Sequence, residues 1–208
     1  MSFFEPPPPP QPPPATPRTP EWFGPPDNVL AAAFPLDLVI ARTEELALFV
    51  HSGHAYEKGF EFTFGLRRRT PPEGNGHDPM TAWYHMRGTR FDDSVLRFGV
   101  AFADGRKATV FDRHPWSADP EGRDHPDIVL MQRGGGGGGS SWDFRFWVWP
   151  LPAEGPVAFV TEWPSEGIAL VRAQVDSAVI REAALRAVTL WPGTGPGAGG
   201  GAWTTRRA

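Results

Sequence analysis

SWDFRFWVWPLPAEGPVAFVTEWPSEGIAL, residues 141–170, is the stretch whose reading decides the fold. Trp142, Phe144, Phe146 and Val148 recur at every second position, and strand side chains alternate between faces, so these four share one buried face. The opposite face begins polar and ends aromatic, with Asp143, Arg145, Trp147 and Trp149. Pro150, Pro152 and Pro156 follow, and proline brings no N–H to a ladder, so the pairing has to break there. Ala153-Glu154-Gly155 reads as a turn, and Val157 to Glu162 is expected to return as the partner strand of a hairpin closed by Trp163-Pro164.

Working outward, Phe60, Phe62, Phe64 and Leu66 alternate with Glu61, Thr63, Gly65 and Arg67. One greasy and one wet face is the mark of an antiparallel sheet. Leu38 to Ile40 and Leu46 to His51 read as two strands or one bent strand around Arg42-Thr43-Glu44-Glu45. Leu96, Phe98, Val100 and Phe102 form another apolar face, and Asp104-Gly105 is a hairpin turn from which Lys107 to Phe111 returns. Ile128 to Gln132 is a short strand, and Gly134 to Gly139 reads as a flexible connector. A phosphate-cradling loop would need a helix after the glycines, and a strand follows here. Ile168 to Val175 is a last strand. From Ser177 to Leu190 the period changes to helical, with Val179, Ile180, Ala183, Ala184, Ala187, Val188 and Trp191 on one stripe and Asp176 or Ser177 as cap.

The expected fold is therefore mainly β: an antiparallel β-sandwich, immunoglobulin-like or jelly-roll-like, with one C-terminal α-helix, and a closed β-barrel as the alternative. Prolines crowd the N-terminal end and glycines recur through the C-terminal one, so residues 1–27 read as a Pro-rich disordered tail and 192–208 as a Gly-rich one. A single domain over 28–191 has enough chain for one core. An apolar share of 40% with 12% aromatic residues supports that core. The formal net charge of −4 gives no footing for nucleic acid, and the absence of cysteine excludes disulfides, thiolate metal sites and cysteine nucleophiles. No run approaches a membrane span and the N-terminus has no signal-peptide pattern, so a cytoplasmic protein is expected.

Several residues are candidates for chemistry. His51 and His54 can share a metal only if the strand breaks at Gly53, since positions three apart on a strand face opposite ways. No metal and no cofactor is expected. Asp92, Asp93, Asp112, Asp119, Glu121, Asp124 and Asp127 are ordinary loop acids, and no GxSxG elbow occurs. Arg67-Arg68-Arg69 reads as charge protecting an edge strand. The 69–93 loop, with Trp83, Tyr84 and His85, is long enough to hold a site. Trp147 and Trp149, beside Arg145, offer a flat indole platform for a sugar, a polyproline segment or another protein. If they are exposed, the chain's own Pro6 to Pro14 is a competitor for them. The alternative is burial beneath the C-terminal helix or a loop, because exposed aromatic pairs are rare on soluble monomers.

LRFGVAFADG at 96–105, WVWPLPAEGPVAFVTEWPSEGI at 147–168 and DSAVIREAALRAVTLWP at 176–192 resemble recurrent features of an uncharacterised group of short actinobacterial β-rich proteins. ARTEELALFV at 41–50 and GFEF at 59–62 fit the same pattern. The resemblance implies one β-rich domain and carries no site residue. The functional expectation is a non-catalytic interaction module that binds another protein. The alternative is a carbohydrate-binding protein or hydrolase-like enzyme with its site in the 69–93 and 112–127 loops. An exposed apolar patch would mark the first, a concave pocket with converging polar groups the second.

Overall fold

In the computed structural model, which describes residues 20–71, 92–112 and 126–191, the period-two stretches become strands. After a short 3₁₀ turn at Glu21–Phe23, the chain runs through β1 (Val29–Leu30), β2 (Ala32–Arg42), β3 (Leu46–Ala55) and β4 (Phe60–Arg68). Next come β5 (Arg97–Ala101), β6 (Lys107–Thr109), β7 (Val129–Gly138) and β8 (Ser141–Trp149). β9 (Pro156–Trp163) and β10 (Ile168–Asp176) lead into the helix α1 (Ser177–Ala184) and the short β11 (Val188–Thr189). Trp83, Tyr84, His85 and Pro6 to Pro14 lie outside the described residues.

All strand pairs are antiparallel. One sheet has the order β2-β3-β4-β8-β7, the other β10-β9-β5-β6, and β1 with β11 makes a separate ribbon. The two larger sheets face each other as a sandwich and do not close into a barrel. Their inner faces meet in an aromatic core. Phe62 stacks on its cross-strand partner Phe146 at 5.7 Å and meets Phe159 of the opposite sheet edge-on at 5.0 Å. Phe64 and Phe98 approach at 4.3 Å across the same gap. Two polar groups drawn into this layer are satisfied: the Thr161 hydroxyl donates to the Arg97 carbonyl, and the Trp163 indole N–H to the Ser94 carbonyl.

Four expectations change. β8 and β9 are both strands, but they do not pair: β8 lies between β4 and β7, and β9 between β10 and β5. The proline-rich connection carries the chain from one sheet to the other, with the Leu151 N–H donating to the Lys58 carbonyl on the way. The glycine run is not a loose connector. Gly134 to Gly138 pair residue for residue with Arg145 to Ser141 as the far half of β7, and Gly139-Ser140 is the turn, with Gly139 at φ +58°. The helix stops at Ala184, because Val188 and Thr189 are β-branched and pair with Leu30 and Val29 instead of continuing the stripe. Its cap is as expected: the Asp176 carboxylate accepts from the Ala178 N–H. Fourth, Arg67 and Arg68 sit on β4, an interior strand, and are engaged in ion pairs. Arg68 reaches Glu166 in the 3₁₀ turn Pro164–Glu166 after β9, at 2.7 and 3.0 Å, tying one sheet to the other.

Candidate interaction surfaces

Trp147 and Trp149 both point to the outer face of the five-stranded sheet, two positions apart on β8. They do not form an open platform. Trp147 is 0% exposed, and Trp149 is half-buried at the strand end opposite Val129. The cover over Trp147 comes from the N-terminus, not from the helix. The Trp147 indole N–H donates to the Trp22 carbonyl at 3.1 Å, and Trp22 is itself buried. A buried indole needs an acceptor for its N–H, and this backbone carbonyl supplies it. The Arg133 guanidinium lies over the Phe23 ring at 5.4 Å and donates to the Phe23 carbonyl at 3.2 Å. From the other side Tyr56 meets Trp147 edge-on at 5.5 Å. Gly59 makes room for the indole, since a Cβ there would strike the Trp147 ring and the Val148 carbonyl. Trp22 thus belongs to the packed domain, N-terminal to the expected boundary at 28. A cavity of about 330 Å³ remains beside the segment, edged by Glu57, Lys58, Asp27 and Arg133.

Farther along the same face the side chains are polar. The Tyr56 hydroxyl donates to Glu61 at 3.0 Å, and burial, then the Glu61 charge, holds this phenol well above its ordinary value. Arg145 is exposed, opposite Thr63 and Gly134. Arg67 donates to both oxygens of Asp143 at 2.9 and 2.8 Å and lies over the Phe49 ring, which in turn covers Gly65. The strand does not end at Gly53, as a metal shared by His51 and His54 would require, but carries a bulge between the two histidines, with Ser52 at φ +57°. Ser52 Oγ is 2.8 Å from His51 Nδ1, and His51 Nε2 is 3.6 Å from Asp143. The order hydroxyl, imidazole, carboxylate looks like an acyl-transfer relay. Its last link exceeds hydrogen-bond length, and Asp143 is already occupied by Arg67, so the carboxylate does not orient the imidazole. Among the described residues no three His, Asp or Glu converge as a metal site.

Two described acids of the long loops serve their own turns. Asp92 accepts from the Ser94 N–H and hydroxyl, and Asp112 from the Thr109 N–H and hydroxyl. On the outer face of the four-stranded sheet an open trough of about 510 Å³ is floored by Gly99, Ala101 and Val160 and rimmed by Leu170, Arg172 and Lys107.

The exposed apolar surface gathers elsewhere. Leu30 and Val188 are direct cross-strand partners on the β1–β11 ribbon, 59% and 53% exposed. Leu190 stands two positions beyond Val188, on the same side, where its N–H donates to the Asn28 carbonyl and prolongs the ladder. Leu185 and Trp191 are exposed in the same C-terminal stretch. Sequence reasoning missed this patch because it placed Val188 and Trp191 on the buried stripe of a longer helix. The one available signal was the β-branched pair Val188-Thr189. No described helix is long and apolar enough to cross a membrane. Comparison with protein-family models, with curated proteins and with solved structures finds no match for this chain.

Proposed function

We propose that this protein is a non-catalytic interaction module that docks another protein through the apolar face of the β1–β11 ribbon. The observation that carries the reading is the row Leu30, Val188 and Leu190, large apolar side chains side by side and open to solvent. Solitary exposed leucines are ordinary, whereas contiguous apolar patches on a folded domain mark contact surfaces. Leu185 and Trp191 extend the apolar surface nearby, and tryptophan is among the residues that dominate binding energy once desolvated. A ribbon of two strands also has short open edges that a partner can cover.

The test is site-specific photocrosslinking of the full chain in its own host, with a photoreactive residue at Val188 or Leu190. The expected result is one dominant adduct that disappears when Leu30→Asp is added. Adducts no stronger than those from Arg172, exposed on the opposite sheet, would overturn the reading.

A further inference from the structure

The segment that covers Trp147 is buried against the domain, yet it is attached as a bound peptide would be. It belongs to neither large sheet, and it crosses the outer face of one of them. Pro20 has φ −59° and ψ 146°, the polyproline II conformation, and Gly24 is fully extended at φ 174° and ψ 174°. Its attachments are those of peptide recognition. An indole N–H and a guanidinium donate to two successive backbone carbonyls, of Trp22 and Phe23, and the Phe23 ring stacks on Arg133. Gly24 lies against the Arg133 guanidinium, where a Cβ would come within 2.9 Å. Pro25-Pro26 then leads into a turn in which the Val29 N–H donates to the Pro26 carbonyl, the single covalent route into β1.

We propose that the groove floored by Trp147 is a peptide-binding site whose ligand is the aromatic–proline segment of residues 20–26, supplied on exchange by a second copy of this chain. Exchange re-forms every contact made within one chain, which is why swapping a terminal segment is a low-cost route to a dimer. What opposes it is the tether. A short linker holds the resident segment at an effective concentration on the order of millimolar, so an outside copy competes poorly until the resident one is weakened. The hinge is the turn at Asp27-Asn28, between the last bound proline and β1.

The experiment uses the full chain carrying Trp22→Ala and Phe23→Ala, ¹⁵N-labelled, and follows the Trp147 indole N–H resonance by NMR. Unlabelled peptide of residues 15–28 is added in one series and unlabelled wild-type chain in another. Both are expected to move the resonance saturably, and the labelled wild-type chain to need at least roughly tenfold more peptide because its own segment competes. No shift in a variant that keeps a dispersed spectrum overturns the proposal. So does loss of that dispersion, since the segment would then be core. An equal response to a peptide of residues 5–15, which lacks Trp22 and Phe23, overturns the choice of segment.

Discussion

Tyr56 puts its ring edge against Trp147 and its hydroxyl on Glu61, so one side chain joins the apolar and polar halves of the sheet's outer face. Its phenol is raised, by burial first and then by Glu61, so the folded state favours the protonated form. That contribution is fully present below the unfolded pKa near 10 and is lost as pH rises from there toward the folded value. Tyr56→Phe is expected to cost about 1 kcal/mol at neutral pH, the net worth of one hydrogen bond. It should also flatten the alkaline limb of stability against pH. Chemical denaturation between pH 7 and 11 checks both, and an unchanged alkaline slope would show that Tyr56 is not its source. Asp176 gives a simpler case: Asp176→Ala removes the cap on the Ala178 N–H and should lower stability by about 1 kcal/mol in the same assay.

At the scale of elements, β7 is the instructive strand, because its glycines are not equivalent. A Cβ at Gly136 meets nothing within 4 Å, whereas at Gly137 it would strike the Ser141 carbonyl and the Trp142 backbone. Gly136→Ala should therefore stabilise by about 0.5–1 kcal/mol, chiefly by restricting the unfolded chain. Gly137→Ala should destabilise, and paired denaturation curves that failed to separate the two would contradict the strand register. Such distinctions were not legible in a run of identical residues, which has neither period nor side-chain preference. β4 was legible for the opposite reason: Phe60, Phe62, Phe64 and Leu66 leave only one way to bury four large side chains on one face. The strands at Trp142 to Trp149 and Val157 to Glu162 could be read, but not their partners. Prolines at 150, 152 and 156 announce a break in pairing without saying whether the chain turns back or changes sheet. The Trp147 site was half legible. The residue could be named, but its cover, Trp22 and Phe23, lies beyond the polyproline run of Pro6 to Pro14 that drew attention.

In the molecule as a whole, stability rests on aromatic contacts between the sheets and on a few polar ties across them. Phe62 touches Phe146 within its sheet and Phe98 and Phe159 in the other, so Phe62→Ala should cost about 3–5 kcal/mol in equilibrium unfolding. The passage of residues 150–155 between sheets has a kinetic counterpart. β8 does not pair with β9 but with β4, joining Phe60 to Val148 and Arg67 to Ser141, while β9 pairs with β5, joining Arg97 to Glu162. Neither contact can form before long stretches of chain have been brought together, and loop closure is charged before such pairing returns anything. Among the described strands, only the hairpins β2–β3, β3–β4, β5–β6, β7–β8 and β9–β10 can form locally. The sandwich should thus assemble slowly, on the milliseconds-to-seconds scale of non-local β topologies, with preformed hairpins waiting for the encounter that joins β4 to β8.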